Sequence, residues 1–358
     1  MRLWEKNIRQ VVPYVPGEQP AGDKIVKLNT NENPYPPAPG VKKVLEELDT
    51  DRLRKYPDPA ATVLVKELAA YYGLGEDQVF VGVGSDDVLA MSFLTFFNSD
   101  KPVLFPDVTY SFYKVWAQLV WADLFKVPFE TPALKEDFII DIKDYAKENG
   151  GVIFPNPNAP TGVYMPLEQI EEILIANQDV VVIVDEAYVD FAGPSALELL
   201  EKYENLLVVQ TFSKSHSMAG MRIGFAMGHP DLIRALNNVK YSYNSYTMNL
   251  PSLLAGVEAV KDKAYFESTL AKIVATRERS KKRLAELGFT FPDSRSNFIF
   301  ASHESVPAEK IFEALKKEQI YVRYFKTPGL DNSLRISIGT DEEMDTLFRF
   351  LEAYLPNA

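Results

Sequence analysis

The sequence predicts an α/β protein. It has a large domain with a mostly parallel sheet covered by helices, a small α+β domain at its C-terminal end, and an extended N-terminal arm. Three observations predict this. Short continuous apolar runs alternate with amphipathic stretches through most of the chain, as strands buried on both faces require. Towards the end the order changes to strand, helix, two strands and a helix, the pattern of a separate small layer. The opening residues, with "VPYVPGEQP" and "LNTNENPYPPAP", are too rich in Pro, Asn and Gly to form a domain of their own.

In chain order, the arm covers residues 1–35 and is expected to pack with the small domain. The large domain covers 36–250. Its strand-like runs are "QVFVGVG" from Gln78, "KPVLFP" from Lys101, "GVIFPN" from Gly151, "DVVVIVDE" from Asp179, "NLLVVQTF" from Asn205 and "RIGFAMG" from Arg222. Between them "LEQIEEILIANQ", from Leu167, reads as a covering helix. The small domain covers 251–358. A long helical region from Pro251 to Gly288 leads to "SNFIFAS", the helix "PAEKIFEALKKEQ", the strands "IYVRYF" and "SLRISIG", and a last helix. The basic run "RERSKKR", Arg277 to Arg283, reads as a solvated helix face.

Bulk composition sets the limits. With 358 residues, 46% hydrophobic and 25% charged, the chain is globular and too long for one simple core. A formal charge of -12 argues against nucleic acid or an anionic membrane as partner. No cysteine is present, which excludes disulfides, thiolate metal sites and cysteine nucleophiles. No apolar run approaches the roughly 18 residues of a membrane span. The opening residues lack the apolar run of a signal peptide, so the expectation is a soluble, cytoplasmic protein.

Ligands of open parallel sheets bind beyond the carboxyl ends of the strands. "VFVGVG" ends in a glycine turn, where the amides at Gly84 and Ser85 open a helix suited to an anion. "GVIFPN" runs into a polar turn carrying Asn158, and "VVVIV" ends at Asp185, with Tyr188 three residues on. "LLVVQTF" ends in Ser213 and Lys214, with Arg222 following. Singly, each has a plain structural reading: Asp185 as a helix cap, Tyr188 as a core aromatic, Lys214 as a snorkelling surface residue. Together they match one requirement. A Schiff-base lysine must lose its proton near neutrality, and desolvation and nearby cations promote that. A pyridine electron sink needs a carboxylate on its ring nitrogen. A phosphate needs hydroxyls, amides and a guanidinium.

The motifs "DEAY", "TFSKSHSMAGMRIGF" and "PNAPTG" resemble those of fold-type I pyridoxal-phosphate enzymes, specifically class II aminotransferases. With "LNTNENPYPPAP", "KYPDP", "VGVGSDDVL", "VTYSFY", "VRYF" and "LRISIGT", the chain is similar to the histidinol-phosphate aminotransferase family over nearly its whole length. The resemblance implies pyridoxal 5'-phosphate as cofactor, and histidinol phosphate, glutamate and 2-oxoglutarate as substrates. It also implies a homodimer with shared sites. The neighbouring possibilities are an aromatic-amino-acid aminotransferase and a threonine-phosphate decarboxylase.

Roles follow from the same resemblance. It implies Lys214 as the covalent anchor and proton carrier, Asp185 on the ring nitrogen and Tyr188 on the ring hydroxyl oxygen. Ser213, Arg222, Gly84, Ser85 and Asp86 belong to the phosphate end, Tyr110 to the ring face, and Tyr56 to the partner subunit's cofactor. Arg335 would bind the carboxylate of glutamate, and Arg323 would help it grip the phosphate. Asn33 and Tyr14 are further substrate-binding expectations. Two departures stand out. The second asparagine usual before the turn proline is Ala159 here, which leaves the ring-hydroxyl amide contact to Asn158. The usual Pro-Thr-Tyr is Val108-Thr109-Tyr110. His216, His229 and His303 lack ligand spacing, so no metal is expected.

Overall fold

Two sheets organise the chain in the computed structural model, which describes residues 2, 5, 8, 12–22, 24–119 and 127–358. In chain order, β1 (Val26–Leu28) is followed by α1 (Pro39–Glu46), α2 (Thr62–Tyr72), β2 (Val79–Gly82), α3 (Ser85–Phe96), β3 (Val103–Leu104), α4 (Phe112–Leu119) and β4 (Phe129–Glu130). Then come β5 (Gly151–Pro155), α5 (Leu167–Ala176), β6 (Val182–Asp185), β7 (Leu206–Thr211), β8 (Gly224–Gly228), α6 (Pro230–Tyr243), α7 (Leu250–Lys261) and α8 (Lys263–Glu286). The last elements are β9 (Phe289–Thr290), β10 (Phe298–His303), α9 (Ala308–Lys317), β11 (Ile320–Tyr324), β12 (Leu334–Ser337) and α10 (Asp341–Tyr354).

The larger sheet has the order β2-β8-β7-β6-β5-β3-β4. Strands β3 to β7 pair in parallel, and β8 runs antiparallel to both β7 and β2. Its central strands alternate between two cores. Val152, Phe154, Val182, Val184, Leu206 and Val208 face one core, while Ile153, Ile183, Leu207 and Val209 face the other. A period-two backbone with helices on both faces needs apolar residues at every position, hence the continuous runs. Each such side chain contributes about 1.5–3 kcal/mol on burial.

The smaller sheet has the order β1-β11-β12-β10-β9. Here β1 pairs in parallel with β11, so the N-terminal segment supplies a strand to the C-terminal sheet. The strands β1, β4 and β9 have two or three residues each and sit at sheet edges, too short to show a period in sequence. Although α7 lies past residue 250, its Leu253, Ala255, Ala259 and Val260 join the core of the larger sheet. The second core begins with α8, whose Ile273 and Leu284 pack with Leu28 and Ile299.

The basic run on α8 is only in part a solvated face: Glu278 and Lys282 are exposed and Arg279 and Arg283 half-exposed, but the rest turns inward. Arg277 is only 2% exposed, and Ser280 and Lys281 are buried too. Arg277 Nη1 donates to the carbonyls of Phe191 and Ser296 at 2.9 and 3.1 Å, and Lys281 pairs with Asp293 at 2.7 Å. Charge sits inside because backbone carbonyls and a carboxylate are there to receive it. Among the described residues no helix is long and apolar enough to cross a membrane.

Candidate active site

Strands β5, β6 and β7 end side by side at Pro155, Asp185 and Thr211, and a cavity of about 650 Å³ opens beyond them. Residues of the arm and the arginines of β11 and β12 close it from the other side. Lys214, Asp185, Tyr188, Ser213, Arg222, Arg323 and Arg335 all line this one space.

Asp185 is buried at the cavity floor. Its Oδ2 accepts from Tyr113 Oη at 2.7 Å and its Oδ1 from the Ala187 amide at 3.2 Å. Burial pushes its carboxyl up to about 6, against those two hydrogen bonds. Among the described residues no cation pairs with it. Tyr188 Oη accepts from Asn31 Nδ2 at 2.9 Å, and its ring lies 5.8 Å beneath the Lys214 amine. That amine donates to the Thr30 carbonyl at 3.1 Å and has no carboxylate partner among the described residues.

One end of the cavity is built for an anion. Helix α3 begins at Ser85 with Gly84 as its N-cap, which presents unpaired amides and a positive dipole end. Ser213 Oγ receives bonds from Thr211 Oγ1 at 3.0 Å and, loosely, from Arg222 Nη1 at 3.4 Å. Arg222 has a left-handed backbone (φ 52°), unusual for a residue with a side chain, and its Nη2 lies 3.5 Å from Asp86. Tyr110 Oη donates to the same carboxylate at 2.7 Å. The packing is close: a Cβ on Gly84 (φ +84°) would stand 2.4 Å from Arg222 Nη2, and one on Gly224 would stand 2.2 Å from the Gly84 carbonyl carbon.

At the other end Arg323 and Arg335 are cross-strand partners on β11 and β12. Arg335 is half-buried in the cavity wall. Its Nη2 bonds the Asn29 carbonyl at 3.1 Å, its Nε has no partner among the described residues, and burial holds the guanidinium below its usual range. Arg323 makes only long bonds, 3.4 and 3.3 Å, to the carbonyls of Pro16 and Val15. The Phe325 ring lies 5.3 Å from one guanidinium and 5.6 Å from the other. Among the described residues neither arginine has a carboxylate. Two neighbouring guanidiniums in that state are suited to an anion. Tyr14 borders the same space, stacked on Phe112 with centroids 4.2 Å apart.

Three expected residues stand apart. Asn33 donates to the Ser215 carbonyl at 3.0 Å and does not line the cavity. Tyr56 is 82% exposed and stacks on Tyr246 outside it. Asn158 is buried and does not line the cavity, its Nδ2 bonded to the Val108 carbonyl and Thr161 Oγ1, with Oδ1 unpartnered among the described residues. Sequence reasoning missed Tyr113, one helical turn after Tyr110 in the quoted "VTYSFY", as well as Thr30, Asn31 and Glu32 inside the quoted "LNTNENP". His216 is sandwiched between Phe212 and Phe266, and burial pushes its imidazole down to about 3. Among the described residues no group of acids and histidines could hold a metal.

The class I and II aminotransferase family model matches residues 23–351. A histidinol-phosphate aminotransferase of Brachyspira hyodysenteriae is 50% identical over 350 residues, covering 98% of each chain. One from Clostridium acetobutylicum is 52% identical over 343 residues, covering 96% of each. The structure of histidinol-phosphate aminotransferase from Sinorhizobium meliloti in complex with pyridoxal-5'-phosphate superposes with a TM-score of 0.80 at 26% identity, covering 92% of this chain and 89% of that one. By sequence, fold and site, the chain belongs to the histidinol-phosphate aminotransferase family within the class I and II aminotransferases.

Proposed function

We propose that this protein is a pyridoxal-phosphate-dependent histidinol-phosphate transaminase of histidine biosynthesis. It moves an amino group between the glutamate/2-oxoglutarate pair and the histidinol phosphate/imidazole acetol phosphate pair, in alternating half-reactions. The observation that carries the reading is the cavity itself. Among the described residues, a lysine with no carboxylate partner, a buried carboxylate with no cation and two guanidiniums with no carboxylate face one space.

The cofactor fits what the site lacks. A protonated ring nitrogen would be a cation for Asp185, and a phosphate is an anion suited to Ser213, Arg222 and the α3 amides. When bound, pyridoxal phosphate supplies an electrophilic carbon and an electron-accepting ring. Asp185 would keep the ring nitrogen protonated, with Tyr113 holding the carboxylate in place. Tyr188 would bond the ring hydroxyl oxygen, helped by Asn158, and Tyr110 would lie against the ring face. Gly84, Ser85, Asp86, Ser213 and Arg222 would shape the phosphate end. Lys214 would anchor the cofactor and then carry the proton between the substrate Cα and the cofactor C4′. Arg335 would bind the carboxylate of glutamate or, with Arg323, the phosphate of histidinol phosphate, while Tyr14 borders the same pocket.

On this reading the large domain holds the cofactor, and the small domain with the arm grips the substrate. The enzyme works in the cytoplasm as a homodimer in which exposed Tyr56 reaches the partner's cofactor phosphate. The test is to follow the cofactor's absorbance in each half-reaction separately, with histidinol as the control lacking phosphate. Histidinol phosphate should react far faster than histidinol. Equal rates would hand the function to the aromatic-amino-acid reading.

A further inference from the structure

Residues Asn29, Thr30 and Asn31 offer three successive carbonyls to side chains of the site. The Asn29 carbonyl accepts from Arg335 Nη2 at 3.1 Å, the Thr30 carbonyl from Lys214 Nζ at 3.1 Å, and the Asn31 carbonyl from Asn297 Nδ2 at 3.0 Å. Two of those donors are the proposed substrate-gripping cation and the proposed proton carrier. The strip is itself clamped from outside. Lys27 Nζ donates to Thr30 Oγ1 at 2.5 Å and also to Glu32 Oε2, and Thr30 Oγ1 donates to that same Oε2 at 2.7 Å. A hydroxyl can accept one bond and donate another, so Thr30 closes a ring of three groups. Lys27 lies on β1, in register with Tyr321 of β11, so the clamp is rooted in the sheet that carries both arginines. Beneath it the chain is tight, since a Cβ on Gly17 would stand 2.8 Å from Thr30 Cγ2.

We infer that Lys27 and Glu32 are positioning residues for the Lys214 amine. They act through Thr30, whose carbonyl is the resting acceptor of that amine when it is not joined to the cofactor. A lysine stem is long and flexible, and a free amine on it has many alternatives. One carbonyl, held still, keeps the amine beside the reacting carbon. The nearest titratable group on the strip is Glu32, whose carboxyl lies below its usual range: Lys27, Thr30 and Lys214 together outweigh the upward effect of burial.

The inference rests on the reading of Lys214 given above, and its test separates the two. In the holoenzyme, Lys27→Met should slow the glutamate half-reaction by about ten- to a hundredfold, the scale of a proton carrier displaced by about 1 Å. It should also enlarge the kinetic isotope effect with Cα-deuterated glutamate while leaving KM for glutamate nearly unchanged. In the full chain stripped of cofactor, an amine-reactive reagent with peptide mapping should label Lys214 faster than in the wild type. Glu32→Gln keeps an acceptor for Thr30 and should restore most of the rate that Glu32→Leu loses. Wild-type isotope effect and Lys214 labelling in Lys27→Met, whatever its thermal stability, would mean that the clamp only fastens β1, and would overturn the inference. If Lys214→Ala itself still transfers the amine, the reading of Lys214 falls as well. If Lys214→Ala is inactive and the clamp variants behave as wild type, only the inference falls.

Discussion

Next to Asp185 along the chain, Glu186 is a second buried carboxylate with no cation partner among the described residues. Glu186 accepts from Ser195 Oγ at 2.5 Å, the Ala196 amide at 2.7 Å and Gln210 Nε2 at 2.9 Å, yet burial pushes it up to about 7. Asp185 rises to about 6, also through burial. Both folded values lie above the ordinary ones of 3.8 and 4.5, so these two groups hold more protons in the folded chain than in the unfolded one between roughly pH 4 and pH 7, while His216, held at about 3 by burial, holds fewer over much of that range. Stability from these two groups therefore falls as pH rises through that window. Carboxylates held low by partners, such as Asp293 beside Lys281, act below it. Because His216 works in the opposite sense over the same window, the carboxyl is read by difference: the thermal midpoint of Glu186→Gln should gain on that of the wild-type cofactor-free protein as pH rises from 4 towards 7. Loading the cofactor, which brings the missing cation, should remove the contribution of Asp185. A difference between Glu186→Gln and wild type that stays the same across that pH range would refute this. For the chemistry, borohydride reduction of the holoenzyme and peptide mapping should place the label on Lys214 alone. Asp185→Asn should keep some cofactor and lose most of its turnover, because a neutral amide cannot hold the ring proton. Near-normal turnover in that variant would show the carboxylate to be misassigned.

Two elements carry most of the binding geometry. The antiparallel pair β11–β12 places Arg323 opposite Arg335, so the two guanidiniums act as a unit that only this register can produce. Arg335→Lys should damage both half-reactions, since an ammonium cannot reproduce the planar fork. Arg323→Ala should cost the histidinol-phosphate half-reaction more than the glutamate one, by about 1.5–3 kcal/mol for a charge-assisted hydrogen bond. Stopped-flow rates for the two halves decide it, and equal losses would detach Arg323 from the phosphate. The second element is the junction of β2, α3 and β8. A methyl on Gly224 would meet backbone atoms of Gly84 and Ser85 at 2.2 and 2.3 Å, and these cannot swing away as a side-chain tip could. Gly224→Ala should destabilise the fold by about 1–3 kcal/mol through overpacking. It should also weaken cofactor retention, because the displaced amides are those of the anion end. Unchanged melting and cofactor affinity would refute this.

The whole molecule raises the question of what covers its exposed aromatics. Tyr56 and Tyr246 stack with centroids 4.6 Å apart, and Tyr243 nearby in sequence is also exposed. If Tyr56 serves the partner subunit's cofactor, mixed dimers of Tyr56→Phe and Lys214→Ala chains will contain one site with both native residues. Activity should return on subunit exchange, up to about a quarter of wild type if exchange is random. Proven exchange without recovered activity would mean that each site is built from one chain.

Much was legible along the chain because it is local. Strands buried on both faces must be continuously apolar, and in a parallel sheet the residues just past them gather at one edge. "DEAY" and "FSK" could therefore be placed together before any coordinates. Sheet order, the short edge strands β4 and β9, and the buried basic residues of α8 were not legible, because none has a periodic signature. Nor were the bonds that complete the site: Tyr113 to Asp185 spans 72 residues, Lys214 to Thr30 spans 184, and Arg335 to Asn29 spans 306. The sequence by itself determined which chemical groups stand at the strand ends and what anions they suit. The tertiary structure alone decided which carbonyl, hydroxyl or carboxylate each of them meets. Those partners arise from the approach of distant backbone segments, which neighbouring residues do not encode.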